Sequence, residues 1–111
     1  MSTRSTIAAK IDNGYVAVYC HHDGYPSYNG RILLTCYNTQ EKIEELLKHG
    51  FMSSLDETID KCEFYHNESP SYAPTYEQVV RGNRQEYNYL WENGQWYVDG
   101  EPLTLEMCER K

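Results

Sequence analysis

No run of apolar residues in this chain approaches the roughly 20 needed to cross a bilayer, and its mean hydropathy is −0.78. A membrane protein is not expected. The four cysteines, Cys20, Cys36, Cys62 and Cys108, include no C-x-x-C pair, and the opening Met1-Ser2-Thr3-Arg4 lacks the apolar core of a signal peptide. Reduced thiols in a cytosol are the expectation, with no disulfide framework. Positive charge is also scarce. Formal net charge is −7, and nothing resembles the basic stripe through which duplex binders displace counterions, so direct nucleic-acid contact is not expected. No serine or cysteine sits in a nucleophile elbow, no carboxylates stand paired, and no loop ends in the Gly-Lys-Ser/Thr of a phosphate cradle. Internal repeats, low-complexity tracts and linkers are missing too. Residues 1–111 therefore read as a single domain, long enough to bury roughly 60–70% of its unfolded surface without a metal or disulfide staple.

What is abundant is tyrosine: eleven, against two phenylalanines. Packing alone does not favour the hydroxylated ring so consistently. Tyrosine gives a rigid contact area with a polar tip, which suits a binding surface, and it equally suits half-exposed strand positions. Charge is placed unevenly: residues 1–40 carry three basic and two acidic side chains, the remainder seven basic and fifteen acidic.

Two Asn-Gly dipeptides within alternating segments predict hairpins, because a type I′ turn needs positive φ at both central positions. Asn13-Gly14 sets Ile11 opposite Val16, Ala9 opposite Val18 and Ile7 opposite Cys20. The other face then pairs Lys10 with Ala17, Ala8 with Tyr19, Thr6 with His21 and Arg4 with Asp23. Asn93-Gly94 sets Trp91 opposite Trp96 and Tyr89 opposite Val98, with Leu90, Tyr97, Asn88 and Asp99 facing away. Between the ribbons, Ile32, Leu33, Cys36 and Tyr37 fall at helical spacing over residues 31–37. Asn38, with Glu41 three residues on, caps a second helix whose stripe is Ile43, Leu46 and Leu47, closed by His49-Gly50. Ser54 with Glu57, and Thr75 with Gln78, have capping-box spacing. Residues 62–74 read as a surface loop, and Pro102 as the start of a terminal helix carrying Leu103, Leu105, Met107 and Cys108. The fold class is α+β: two β-hairpins forming an antiparallel sheet, packed on one face by the central helices.

The segment from Tyr19 to Gly30 concentrates histidine, carboxylate, tyrosine and turn residues where a strand ends. Cys20, His21 and His22 invite a metal, but adjacent strand residues point to opposite faces and Cys20 belongs to the core, so no metal or other cofactor is expected. His21 and Asp23 share a face with Arg4 and Thr6, an arrangement in which a carboxylate orients a histidine for acid-base work. The competing reading is a turn started by Asp23, with His21 paired to Tyr19 or Thr6. Ligand binding uses the same group: Tyr25 and Tyr28 to stack on a planar ring, and Arg4, His21 and Arg31 to hold a nucleotide-like anion.

Ser2-Thr3-Arg4-Ser5 with Ile7, then Tyr19-Cys20-His21, Asp23-Gly24-Tyr25-Pro26, Gly30, Leu33-Leu34, Tyr37-Asn38 and Ser53-Ser54-Leu55, together with the aromatic hairpin from Tyr87 to Val98, form a pattern. It resembles a family of small uncharacterised proteins encoded by tailed bacteriophages and prophages. The resemblance implies a setting rather than a chemistry: small acidic phage proteins that act by binding, blocking a host enzyme or sequestering a signalling nucleotide. The expected function is that of a non-catalytic accessory protein in the bacterial host cytosol, inhibiting a defence component such as a nuclease. The acidic residues between Glu41 and Glu68, Glu44, Glu45, Asp56 and Asp60 among them, would meet a basic surface on that host protein together with exposed tyrosines. The alternatives are a nucleotide-like ligand held at the His21 to Gly30 loop, and a small enzyme using His21 and Asp23.

Overall fold

The alternation along the first ribbon does fold back on itself, but at a different corner. In the computed structural model, which describes residues 2–109, strands β1 (Ser5–Ile11) and β2 (Gly14–Cys20) pair Ile11 with Gly14, Ala9 with Val16 and Ile7 with Val18. The turn is Asp12-Asn13, and neither residue has positive φ, whereas Gly14 is at φ +144°. The cause is a third segment. A strand farther along the chain, β5 (Ser71–Ala73), runs beside β2 with Ala73 opposite Tyr15. An ideal Cβ on Gly14 would lie 2.5 Å from the Ala73 carbonyl oxygen. The glycine serves that close approach, not the reversal. Because the register moves by two residues, every side chain keeps its face: Ile7, Ala9, Val16, Val18 and Cys20 remain buried. On the other face Lys10 meets Tyr15, Ala8 meets Ala17 and Thr6 meets Tyr19, so His21 and Asp23 lose the partners expected for them.

The chain from β2 to β5 carries helices α1 (Arg31–Cys36) and α2 (Gln40–Leu47) and strands β3 (Met52–Ser54) and β4 (Glu63–Phe64). The N-cap of α2 is Thr39, not Asn38: its hydroxyl accepts the Lys42 N–H at 3.2 Å. Ser54 ends a strand instead of starting a helix, and only a 3₁₀ turn, Ile59–Lys61, follows. The stretch read as a loop over 62–74 contains both β4 and β5, short edge strands with little apolar alternation. The Thr75 to Gln78 box does start a helix, α3 (Tyr76–Val80), with the Gln78 N–H donating to the Thr75 hydroxyl at 3.2 Å.

The second hairpin, β6 (Tyr87–Glu92) and β7 (Gln95–Val98), has the expected register. Its corner is Asn93 at φ +56° and Gly94 at +74°, the primed turn that such residues favour. The two indoles meet edge to face with centroids 5.5 Å apart. Pro102 lies in a final strand, β8 (Glu101–Pro102), and the last helix, α4 (Leu105–Glu109), begins after Thr104, whose hydroxyl accepts the Met107 N–H at 3.2 Å.

One sheet runs β4-β3-β2-β1-β6-β7-β8, with β5 also on β2. The hairpins join β1 to β6 in parallel, Ser5 opposite Tyr87 through Ala9 opposite Trp91, so the sheet of this α+β fold is mixed where an antiparallel one was expected. Strand β5 leaves the chain at the Tyr15 end of the first ribbon, and the segment through α3 returns it to the Ser5 end, where β6 starts parallel to β1. Leu33, Ile43, Leu46, Leu47 and Cys108 cover one face of the sheet against Ile7, Val18, Tyr89 and Trp96. The opposite face is covered as well: Val79 and Val80 of α3 pack on Ala8 and Ala17, whose small side chains admit the helix. Among the described residues no helix is long and apolar enough to cross a membrane.

Gly14→Ala should cost about 2–3 kcal/mol, the range of a substitution that displaces packed backbone. Gly94→Ala, whose Cβ would meet nothing within 4 Å, should cost about 1 kcal/mol of left-handed strain. Urea unfolding compares the two; equal costs would contradict the close approach of β5.

Candidate functional site

Beyond Cys20 the chain bends at His22, with His21 and His22 donating their N–H groups to the Met52 and Ser53 carbonyls at 3.1 and 3.0 Å. Asp23, at φ +58°, follows the bend. A π-helical turn, Pro26–Gly30, leads directly into α1. The turn is pinned from below. Asn29 is fully buried and donates through Nδ2 to Ser5 Oγ at 3.3 Å, to Cys20 Sγ at 3.4 Å and to the His22 carbonyl at 3.4 Å. Tyr89 reaches across from β6 to donate its hydroxyl to the Gly24 carbonyl at 2.7 Å. Sequence reasoning missed Asn29, since an Asn-Gly pair in a polar stretch reads as a turn, and its partners lie far away along the chain.

The reversal at Asp23 decides which candidate residues meet. His21 Nδ1 shares a 2.6 Å hydrogen bond with the Tyr19 hydroxyl, and its ring lies 4.6 Å from that of His22. Lost hydration, then the neighbouring His22 and Arg4, hold the His21 pKa below its ordinary value. Asp23 instead accepts the Tyr25 hydroxyl at 3.2 Å. The expected His21 and Asp23 pair is therefore not formed, and the Tyr19 alternative is. Arg4 stands close enough to Tyr19 and His21 for its charge to act on both. Tyr28 is half-buried against the main core and feels Asp56 first among the nearby charges. Arg31, opening α1, lies beside Cys108 of α4. The structure thus brings the Arg4 charge near His21 and Asp23 to Tyr25, with Tyr28 near Asp56 and also within reach of Asp23 and Tyr25, while Arg31 lies towards α4.

None of Arg4, His21 and Arg31 lines the cleft of about 680 Å³ that opens beside this turn; its walls are Tyr25, Tyr87, Val98 and Met107, with Asp99 and Glu101. Asp99 and Glu101 gave no signal in the sequence, because only the fold carries the β7–β8 turn to Tyr25.

Of the four acidic candidates, Glu45 and Asp60 share a groove of about 640 Å³ between α2 and residues 57–60, together with Glu41, Glu57 and Lys42 over Tyr37 and Ile59. Glu45 ion-pairs with Lys48 at 2.9 Å and lies 3.7 Å from His49; the Lys48 hydrogen bond leads the contacts that hold its pKa below the usual range. Glu44 points to the other flank of α2, where Gln40 donates to it at 2.6 Å. Asp56 is engaged in local bonds, its side chain accepting the Glu57 N–H at 2.7 Å and its carbonyl the Tyr37 hydroxyl at 2.8 Å. Glu41, the start of the acidic stretch expected to meet a partner, joins Glu45 in this groove through its i,i+4 relation on one helix face. Among the described residues no group of three or more His, Cys, Asp or Glu is placed to hold a metal ion. Comparison with protein-family models, curated proteins and solved structures finds no match to the chain.

Burial pushes the Cys20 thiol up to about 11, against an ordinary value near 9. Its neutral form is favoured by folding, so that contribution is complete below about pH 9 and is lost as pH rises towards 11, amounting to about 2–3 kcal/mol. Urea unfolding between about pH 8.5 and 10.5 should show a clearly shallower decline for Cys20→Ala than for the unsubstituted chain; parallel declines would contradict it.

Proposed function

We propose that this chain is a non-catalytic binding protein of phage or prophage origin that captures a host protein in the bacterial cytosol through a basic surface on that partner. The observation that carries the reading is the groove between α2 and residues 57–60, where Glu41, Glu45, Glu57 and Asp60 surround a single cation, Lys42. Carboxylates on an exposed rim accelerate encounter and select against acidic partners more than they add contact energy. Tyr37 and Ile59 give the groove an apolar floor, so a lysine or arginine side chain would lay its stem there and its charge on the rim. A nuclease or another nucleic-acid-handling defence component offers such a surface, and blocking it would inhibit the enzyme. Resemblance to small phage proteins supports this counter-defence reading. The pairing of His21 with Tyr19 at 2.6 Å, in place of a carboxylate, favours binding over acid-base chemistry.

Charge reversal at Glu41, Glu45, Glu57 and Asp60 should reduce capture of the host partner about tenfold or more at low salt, and flatten its loss between about 50 and 300 mM salt. Reversal at Glu63 and Glu68, exposed residues outside the groove, should do neither. Capture equally sensitive to both sets, or to neither, would overturn the acidic-groove reading.

A further inference from the structure

We propose that the pocket between α3 and the face of the second hairpin turned away from the main core is a binding site for a short apolar peptide with both terminal charges free. Tyr76, Arg84, Leu90, Asn93, Tyr97 and Asp99 line a space of about 610 Å³, within the roughly 300–1,000 Å³ of small-molecule sites. The space is left by a short helix. Val79 and Val80 of α3 cover Ala8 and Ala17, while Leu90 and Tyr97, opposite one another in the ladder of β6 and β7, stay half-buried.

Opposite charges stand on the walls of this pocket without meeting. Arg84 lies over the Tyr76 ring, 5.5 Å from its centroid, and donates to Glu77 at 3.3 Å, which engages one of the five N–H donors a guanidinium carries. Four are left. Asp99 is fixed from beneath by a buried amide: one carboxylate oxygen accepts Asn88 Nδ2 at 2.9 Å, and the Asp99 N–H donates to the Asn88 carbonyl at 2.9 Å. Asn88, only 5% exposed, is itself locked, its Oδ1 accepting the Thr6 hydroxyl at 2.9 Å and the Gln85 N–H at 3.0 Å, and its Nδ2 donating to the Gln85 carbonyl at 2.9 Å. The second Asp99 oxygen has no partner among the described residues. The charges of Arg84 and Asp99 both act on Tyr76, yet Arg84 forms its ion pair with Glu77 and none with Asp99. Glu92, the other acid here, accepts the Tyr15 hydroxyl at 3.1 Å.

An anchored carboxylate and a guanidinium held apart over an apolar floor match a molecule with an ammonium at one end, a carboxylate at the other and an apolar body between. The ammonium would donate to the free Asp99 oxygen, and the carboxylate would accept from the free N–H groups of Arg84. Both are charge-assisted bonds. Leu90 and the Tyr97 ring would pack the apolar side chains, and the exposed side-chain amide of Asn93 borders the pocket where a peptide group can pair with it. A carboxylate aimed by a satisfied buried network loses little entropy when it accepts a ligand. A polyphosphate would meet Glu77, Glu92 and Asp99 against a single guanidinium, and a simple amine would leave Arg84 unmatched. This site shares no residue with the groove between α2 and residues 57–60, so the two readings stand or fall separately.

The test is a titration of the whole chain with the dipeptide leucyl-leucine, followed on the ¹⁵N-labelled side-chain amide of Asn93, with that of the fully buried Asn29 as internal reference. The account expects a saturable shift at Asn93 and none at Asn29. Amidating the dipeptide's carboxylate, or acetylating its amine, should weaken binding about tenfold or more. Arg84→Gln should weaken the free dipeptide similarly and leave the amidated form as it was. Asp99→Asn, which keeps an oxygen for Asn88 and suits the backbone at φ +49°, should weaken the free dipeptide and leave the acetylated form as it was. Glu63→Gln with Glu68→Gln should change neither. No saturable shift, a blocked dipeptide that binds as tightly as the free one, or equal loss of the free and amidated forms in Arg84→Gln would overturn the proposal.

Discussion

Parallel pairing of β1 with β6 is the constraint on which the rest of the molecule depends. A two-stranded ribbon is marginal in water, and this chain makes two of them at opposite ends of its sequence. Ile7, Ala8 and Ala9 are completely buried at the centre of the sheet, so β1 has no face left for solvent and must be flanked on both edges. The join is also marked by a polar contact: Thr6, opposite Asn88 in the ladder, donates its hydroxyl to the Asn88 side chain at 2.9 Å. A buried pair of this kind is favourable only when its remaining valences are met, and Gln85 and Asp99 meet those of Asn88. A slip of one residue would turn Asn88 into the main core and Tyr89 out of it.

From that join follow the surfaces. Tyr89 can brace Gly24, and Tyr87 can face Tyr25, only because β6 lies beside β1. The indole of Trp96 donates to the Tyr37 carbonyl at 2.8 Å and that of Trp91 to Gln40 at 2.8 Å, which ties the second ribbon to the ends of α1 and α2. The tyrosines divide by task. Tyr37 and Tyr89 are buried with their hydroxyls donated to loop carbonyls, and burial raises the pKa of both. Tyr25, Tyr65 and Tyr72 are exposed, Tyr72 at 64%. The excess over phenylalanine thus has a source that neither expectation named, hydroxyls that anchor irregular backbone from inside, alongside rings that face water.

Local patterns were legible in the sequence where they are set locally. The Asn93-Gly94 corner, the Trp91 and Trp96 pair, the Ile43, Leu46 and Leu47 stripe and the Thr75 cap all depend on residues within one turn or one hairpin. The misreadings involve distant segments. Gly14 was read as a turn residue because the passage of Ala73 beside it is invisible in the sequence near residue 14. The direction of β6 against β1 cannot be read from alternation, which looks the same for parallel and antiparallel neighbours. For the candidate site, alternation was extrapolated past Cys20 to Asp23, and the bend at His22 with the left-handed Asp23 ended it. Asn29, Asp99 and Glu101 were hidden because each draws its role from elements remote in sequence.

The central claim is that the two ribbons are one cooperative unit, fused along β1 and β6. Native-state hydrogen exchange in increasing urea tests it most directly. The account predicts that the slowest amides of β1, β2, β6 and β7 share one opening free energy, with the denaturant dependence of global unfolding. Amides of β6 and β7 that open together at a distinctly lower free energy, while β1 and β2 stay protected, would contradict it.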